Sequence, residues 1–176
     1  MLPGTVIPTK GVKRVSTKKK TMKTLAPLLL FIAVFSGCSP DDDGTDMGTF
    51  DDDPSITSLN GTWKVISFED YIARTVEHKN EENSRGGDIV ITFNDAHEPH
   101  SISGQNITNA VVGEFEYRPA RGLKVLNLGS TMVAQPAWAD KFAGAITGTH
   151  LNYVINAAKL RIFYQDGIKS VTLVKQ

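Results

Sequence analysis

Hydrophobic and polar side chains alternate in short runs along the last two thirds of the chain. Within residues 111–117, Val111, Phe115 and Tyr117 share one parity, while Glu114 and Glu116 share the other. A period of two places the apolar side chains on one face of a strand and the polar ones on the opposite face. The alternation recurs at residues 61–68, 88–93, 151–155, 159–164 and 171–174. These runs predict half-buried strands.

One run and two turns complete the strand pattern. Residues 123–128 are apolar on both parities, which predicts a central strand. Asp166-Gly167 favours a tight hairpin turn, because both residues tolerate a positive φ. The segment 118–122 predicts a longer hairpin loop, with Gly122 available for a left-handed conformation. Short strands at this spacing are typical of an antiparallel sheet or barrel.

One segment has a helical period instead. Trp138, Phe142 and Ile146 recur every four positions; Pro136 suits a first helical residue and Gly148 a stop. The expected fold class is therefore α+β: mainly an antiparallel β-sheet, partly open and barrel-like, with one covering helix. Trp138 and Phe142 are candidates to line a ligand pocket, although packing is the commoner role of aromatic residues at helical spacing.

An apolar run stands near the start of the chain. Residues 25–35 read LAPLLLFIAVF, with lysines before the run and the small residues Ser36 and Gly37 after it. A membrane-spanning helix needs about 20 apolar residues, so this run is too short to span. Its length and flanks are those of a signal peptide, which we assign to residues 1–37.

The only cysteine, Cys38, follows this run directly. The sequence FSGC resembles the lipobox of bacterial lipoproteins, with Phe35 where leucine is usual. The resemblance implies that Cys38 becomes lipidated and is the new N-terminus. Two or more acyl chains anchor a protein stably, at about 0.8 kcal/mol per buried CH₂. The alternative, a free thiol in a secreted protein, would leave Cys38 reactive and unpaired.

The residues after Cys38 bear on the location. Ser39 follows the cysteine, where an aspartate would resemble an inner-membrane retention signal. The three aspartates at 41–43 resemble the acidic export tract of surface lipoproteins in some Gram-negative groups, and a merely soluble tether is the alternative. We expect a lipid anchor in the outer membrane of a Gram-negative bacterium, with the domain either periplasmic or surface-exposed.

Charge separates a tether from a folded domain. Seven of the 19 acidic residues lie between Ser39 and Thr57, and seven of the 19 basic residues precede Cys38. Low hydrophobicity and self-repelling charge predict a disordered tether at 38–57, headed by the lipidated cysteine. The domain expected at 58–176 has 12 basic and 12 acidic residues. This balance gives no basic patch that would argue for nucleic acid as a partner.

Four motifs resemble, in order and spacing, the META/HslJ-like domain of bacterial envelope proteins. They are LNGTW at 59–63, SGQN at 103–106, GEFEY at 113–117 and GSTMVAQ at 129–135. The residues that carry the resemblance are Gly61, Trp63, Gly104, Asn106, Gly113, Tyr117, Ser130 and Thr131. Where many members of the family have a pair of cysteines, this chain has Gln105 and Gln135, so a redox role for such a pair is excluded here.

What the resemblance implies is a non-catalytic domain linked to envelope stress resistance and integrity, without a cofactor. The expected partners are the membrane, through the lipid anchor, and either a small apolar ligand or an envelope protein. A curved sheet with a covering helix would supply an apolar groove for such a ligand.

The alternative is a metal-dependent enzyme. His97 and His100 lie with Asp95 and Glu98 in the loop FNDAHEPHSIS, and imidazole and carboxylate groups are metal ligands. Pro99 separates the histidines and disfavours the helix that would place both on one face. A solvated loop between strands is therefore the better interpretation. Zinc or copper bound near unit stoichiometry would support the enzyme.

The cellular start is predicted at Met22. The signal MKTLAPLLLFIAVFSGC is complete from that residue, whereas residues 1–21 add basic sequence without an evident role. Mass spectrometry of the unprocessed precursor should yield an N-terminal peptide that begins at residue 22. A peptide that maps upstream of Met22 would contradict this prediction.

Overall fold

The computed structural model describes residues 50–176, which form nine strands and two helices. The signal peptide, Cys38 and the first part of the expected tether lie outside the described residues. No helix within 50–176 has the length and apolar character needed to cross a bilayer. In chain order the elements are β1 Gly61–Asp70, β2 Thr75–His78, α1 Glu81–Ser84, β3 Ile89–Asn94, β4 His100–Asn106, β5 Asn109–Arg118, β6 Gly122–Ser130, α2 Ala137–Ile146, β7 Leu151–Ile155, β8 Lys159–Tyr164 and β9 Lys169–Lys175.

The strands form one antiparallel sheet that returns on itself. Its order is β2-β1-β3-β4-β5-β6-β7-β8-β9, and β9 also pairs with β1 from Trp63↔Lys175 to Asp70↔Lys169. The short β2 shares one edge of β1 with β3. Because β1 and β9 join, the sheet is a ring of strands around an apolar interior. The expected fold class, a mainly antiparallel and partly open sheet with a covering helix, is confirmed.

The ring is nearly open between β6 and β7. Only two residue pairs join these strands, Gly122↔Asn152 and Leu123↔Leu151. Beyond Leu123, β6 pairs with β5 alone. The strand predicted at 123–128 is confirmed within β6, which lies between β5 and β7 in the sheet order, but Val125, Leu126 and Leu128 are only half-buried. Val125 and Leu128 pack against the core; Leu128 also lines one surface cleft, and Leu126 lines another.

The interior is filled by the inward parity of the strands, as the alternation predicted. The inward residues are almost entirely apolar, and many of the large ones are less than 2% exposed. They include Trp63, Ile89, Ile91, Phe93, Ile102, Leu123, Ile155 and Leu160. Burying each such side chain contributes about 1.5–3 kcal/mol relative to exposure. This apolar interior fixes the register of the ring, since a one-residue slip would turn a strand inside out.

Helix α2 covers one end of the ring with its apolar face. Trp138, Phe142 and Ile146 are buried, and the Trp138 ring meets Phe68 edge-on at 4.6 Å between centroids. The predicted helix is confirmed, with one change at its start. Pro136 is the N-cap, with ψ 157°, so the first helical residue is Ala137. Proline pre-sets a suitable φ here and sacrifices no helical hydrogen bond.

Three elements were not predicted from the pattern. Strand β2 is a four-residue strand, and α1 is a single turn held by a reciprocal capping box between Asn80 and Asn83. Strand β4 has the sequence HSISGQN, in which Ile102 is the one β-branched residue of the kind that favours strands. It forms because it pairs along its length with β3 and β5. Tertiary pairing overrides the weak local preference.

Residues 51–56 are held against the domain, so the tether boundary expected at residue 58 is placed too late. Asp53 donates its backbone N–H to the Ile155 carbonyl at 2.8 Å, and the Asp52 carboxylate accepts from the Ile155 N–H at 2.9 Å. Arg121 donates to Asp52 at 2.6 Å and to the carbonyls of Asp53 and Ile56 at 3.0 and 3.1 Å. We call Arg121 with residues 52–56 the clasp. Two acids that composition placed in a solvated tether are hydrogen-bonding groups of the fold.

Arg121→Ala should lower the free energy of unfolding by about 1–3 kcal/mol, because hydrogen bonds of a charged donor are lost and the accepting groups stay partly buried. Arg121→Lys should lose less, since it keeps the charge but lacks the planar fork that reaches several acceptors. Urea unfolding followed by fluorescence measures both.

Arg118→Ala is the matched control, because Arg118 is half-exposed and its ion pair is with Glu116 on the surface. This substitution should change stability by no more than about 0.5 kcal/mol. An equally small change for Arg121→Ala would show that the clasp does not stabilise the domain.

Candidate ligand-binding groove

A cavity of about 580 Å³ opens between α2 and strands β4, β5 and β6. This volume falls within the roughly 300–1,000 Å³ of small-molecule sites. The groove, as we call this cavity, lies where β6 leaves β7, so the open seam of the ring creates it. Its apolar walls come from the sheet and from the helix: Ile102, Val111, Leu128, Phe142, Ala143 and Ile146.

The loop between β6 and α2 forms the rim of the groove. Met132 is fully exposed and Val133 is 57% exposed, which is unusual for large apolar side chains on a small domain. On the helix, Ala143 lines the groove. A methyl group at this position takes up little room, and the space beside the bulkier Phe142 and Ile146 stays open.

One end of the groove is polar, because asparagines occupy inward positions of the β4–β5 hairpin. Asn106 and Asn109 are 2% and 4% exposed and flank the two-residue turn. The Gln135 Oε1 accepts from Asn109 Nδ2 at 2.8 Å and from Asn106 Nδ2 at 3.4 Å. Gln135 Nε2 in turn donates to Asp140 Oδ1 at 2.8 Å. The amides therefore connect the hairpin, the rim loop and α2.

The same asparagines fix the rim loop. Asn109 Oδ1 accepts from the backbone N–H of Val133 at 2.8 Å and from the Thr131 hydroxyl at 3.1 Å. Thr131 accepts from the Ala110 N–H at 3.1 Å. Each buried polar group that finds a partner avoids a desolvation cost of about 1–3 kcal/mol. The exposed loop is thus held at its base by buried hydrogen bonds.

Asn106 has one polar atom without a partner. Its Nδ2 donates to the Ala139 carbonyl at 3.0 Å as well as to Gln135, and both are acceptors, so the amide orientation is determined. Its Oδ1 is buried and accepts no hydrogen bond from the described residues. The Trp138 Nε1 is likewise buried and without an acceptor in that range. A buried acceptor without a donor at a cavity wall calls for an explanation.

The residues singled out from the sequence divide between the groove and the rest of the ring. Phe142, Asn106, Ser130 and Thr131 line the groove, whereas Trp138 does not and packs against Phe68 instead.

The remaining motif residues have structural roles. Gly61 has a φ of 134°, and a side chain on Gly104 would collide with the Val90 carbonyl. Gly113 closely approaches the Leu128 backbone, and Trp63 donates to the Leu59 carbonyl at 2.8 Å. These residues allow close strand contacts and the start of β1.

His97 and His100 lie at the opposite end of the ring from the groove. His100 Nδ1 is 3.2 Å from the His97 carbonyl oxygen, and its ring lies 5.3 Å from Phe115 and 5.4 Å from Tyr117. Within residues 50–176 no three His, Cys, Asp or Glu side chains are arranged to hold a metal ion. The His100 ring is part of an aromatic cluster.

Asp95 belongs to a hydrogen-bonded group at this end. The Tyr117 hydroxyl donates to Asp95 Oδ2 at 2.5 Å and accepts from the Leu59 N–H at 2.8 Å, and Ser58 donates to Asp95 at 2.6 Å. Burial opposes ionisation of Asp95, but the hydrogen bonds from Ser58 and Tyr117 outweigh it and lower the Asp95 pKa. Burial and then the bond to Asp95 raise the Tyr117 pKa, so the phenol stays protonated.

The sequence analysis did not predict two features of the groove. It did not single out Asn109, and it did not predict that Gln135 connects Asn106 and Asn109 to Asp140. The sequence does contain a signal for the polar end. The positions that should point inward carry apolar residues at Ile102 and Val111, but they carry asparagines at 106 and 109, on either side of a two-residue turn. Gln105 points to the exposed side and donates to the Ile107 carbonyl. Gln105 and Gln135 therefore have separate partners and are not a structural pair.

The comparisons with known proteins support the fold alone. No family model and no curated protein matches the chain. A solved structure of a protein from Burkholderia xenovorans is similar over 78% of this chain and 98% of its own, with a TM-score of 0.56 and 16% identity. A DUF4847 family protein from Bacteroides vulgatus ATCC 8482 covers 66% of this chain and 94% of its own, with a TM-score of 0.48 and 17% identity. Membership of the META/HslJ-like family stays a prediction.

Tyr117→Phe should lower the free energy of unfolding by about 1–3 kcal/mol at neutral pH, since it leaves Asp95 and the Leu59 N–H each short of a partner. Because the Asp95 pKa is depressed in the fold, its stabilisation is present above the unfolded value of about 3.9 and is lost as pH falls through the folded value. The difference between wild type and variant should therefore shrink in acid. Urea unfolding at about pH 7 and about pH 3 measures it.

Tyr164→Phe is the control, because no described residue forms a hydrogen bond with the Tyr164 hydroxyl. Like Tyr117→Phe, this substitution removes a phenolic hydroxyl, and it should change the free energy of unfolding little at either pH. A Tyr117→Phe effect that does not depend on pH would contradict the coupling to Asp95.

Proposed function

We propose that this chain is a lipid-anchored envelope lipoprotein whose domain is a non-catalytic binding module that holds a small ligand in the groove. The observation that carries the proposal is the groove itself: a preformed apolar cavity with a few fixed polar groups at one end. Small-molecule sites have this composition, with apolar walls for affinity and a few polar groups for orientation. The anchor at Cys38 and the META/HslJ-like character of the domain are parts of the same proposal and rest on the sequence motifs.

The chemistry of the lining favours binding over catalysis. Of the fifteen residues that line the groove, Asp140 alone has an ionisable side chain. Asp140 is solvent-exposed, and its Oδ1 is bonded to Gln135. General acid–base catalysis needs a side chain whose pKa lies near the working pH and that reaches the reacting atom. The lining of the groove can orient a ligand, but it does not contain a pair of side chains that could serve as general acid and general base.

A protein partner is the second candidate. Besides Met132 and Val133 on the rim, Val112 on β5 is 62% exposed. Val112 pairs with Gly129 of β6, which precedes Met132 by three positions in the chain. Exposed large apolar side chains that lie together are typical of interaction sites. Crosslinking to one abundant envelope protein would favour this candidate.

Ala143→Trp should abolish ligand binding by filling the groove from the helix side. The probe is Nile red, a neutral apolar dye, titrated into the purified full-length chain without detergent and followed by fluorescence. We expect the dissociation constant to rise at least about tenfold, a loss of roughly 1.4 kcal/mol. The expected result for wild type is saturable binding of one dye per chain.

Gly144→Trp is the matched control one residue along the same helix. A Cβ at Gly144 meets no atom within 4 Å, so a bulky side chain fits there, and Gly144 does not line the groove. This variant should bind the dye as wild type does. Equal dye binding by wild type and Ala143→Trp would contradict the proposed function.

A further inference from the structure

The side-chain hydrogen-bonding capacity left over at the polar end of the groove is mostly that of an acceptor. Both Nδ2 hydrogens of Asn106 are donated, to Ala139 and Gln135, and both of Asn109 are donated, to Val133 and Gln135. The Thr131 hydroxyl donates to Asn109. Gln135 retains a single N–H hydrogen beyond its bond to Asp140. The main side-chain groups left over are this one hydrogen, the buried Asn106 Oδ1 and the second carboxylate oxygen of Asp140.

The charge of the lining points the same way. No lysine or arginine lines the groove, and its one charged residue is Asp140. An anionic head group would therefore meet a carboxylate and an unpaired carbonyl oxygen, without a cation to balance it. A group that brings N–H or O–H hydrogens would instead pair both oxygens. Buried polar groups left without a partner are what allow a site to reject a ligand that lacks the matching hydrogen.

We propose that the groove selects amphiphiles with an apolar body and a donor-bearing head that is neutral or cationic, such as an alcohol or an ammonium group, and that it discriminates against carboxylates. The inference rests on the proposed function and names the ligand class of that site. Asn106 Oδ1 accepts the hydrogen of the head group, and Asp140 adds attraction for a cationic head. The apolar walls formed by Ile102, Val111 and Phe142 hold the body.

The oxygen of Asn106 is nearly inaccessible in the empty groove, so the head group must displace part of the wall. The rim loop is the segment that can yield, because Thr131, Met132, Val133 and Ala134 are all exposed. Gln135 is held to Asn106 by the long 3.4 Å bond and to Asn109 by the shorter one. A small outward shift of Gln135 would release the Asn106 side chain on this side, while Asn109 keeps its bonds to Thr131 and to the Val133 N–H.

The test is a head-group series on one apolar body: octylammonium, octanol and octanoate, each displacing Nile red from the wild-type full-length chain. We expect octylammonium and octanol to displace the dye, and octanoate to need a concentration at least about tenfold higher than octylammonium. Equal potency of all three, or stronger displacement by octanoate, overturns the inference while leaving the groove a binding site. If none displaces the dye although Ala143→Trp abolishes dye binding, the inference is again overturned and the proposed function stands.

Substitutions of Asp140 and Asn106 test whether these two residues cause the selection between head groups. Asp140→Asn should bring octylammonium to the potency of octanol, whereas Asp166→Asn, which removes a carboxylate from the exposed β8–β9 turn, should change nothing. Asn106→Leu should weaken octanol more than octanoate. If that variant does not fold, the side-chain amide resonance of Asn106 in wild type serves as the second measurement: it should shift with octanol, and an unchanged resonance at saturation overturns the role of Asn106.

Discussion

The incomplete pairing of β6 with β7 is the constraint on which the architecture around the groove depends. In a ring of antiparallel strands each interior strand normally has two hydrogen-bonded neighbours, which leaves no gap in the wall. Here β6 has two neighbours only over Gly122 and Leu123, and then β5 alone. The chain crosses the resulting gap through α2, whose buried face closes the end of the ring. The helix packs against the sheet through apolar side chains, but the two do not fit together completely, and the space left between them is the groove.

The polar network at the groove follows from the same gap. A rim loop that spans an open seam has no strand ladder to hold it, and a loop against an apolar interior would carry unsatisfied backbone groups. The amides of Asn106, Asn109 and Gln135 supply the missing partners, for the Val133 N–H and carbonyl among others. Inward asparagines cost desolvation, yet here nearly every one of their hydrogens and acceptors is used. The exception, Asn106 Oδ1, stands out for that reason.

The sequence predicted the parts of this fold in which local pattern and tertiary role agree. Alternating runs became strands, and the four-residue period of Trp138, Phe142 and Ile146 became α2. The predictions failed where context decides. Strand β4 is held by its neighbours rather than by its composition, and Asp52 and Asp53 read as solvated charge because the arginine that binds them lies about 70 positions away. The seam could not be predicted, since an apolar run does not show how many neighbours its strand will have. For the groove, the sequence named Phe142 as a lining residue and Asn106 only as a motif residue, and the contacts of Asn106 with Gln135 and Ala139 were not predictable.

The clasp and the groove lie at opposite ends of β6, which separates the proposed anchoring from the proposed binding. Arg121 directly precedes β6, and Ser130, which lines the groove, is the last residue of β6. At about 3.3 Å per residue, the two ends of this strand lie roughly 26 Å apart. Residues 52–56 join the domain at the Arg121 end, with Tyr153 donating to the Thr57 carbonyl at 2.5 Å. Residues 52–56 thus lie at the end of the domain opposite the groove. A groove at the anchored end would be confined by whatever surface holds the chain. A groove at the far end can admit the proposed ligand while the chain stays attached, so a loss of binding after substitution in α2 can be attributed to the groove and not to the proposed anchor.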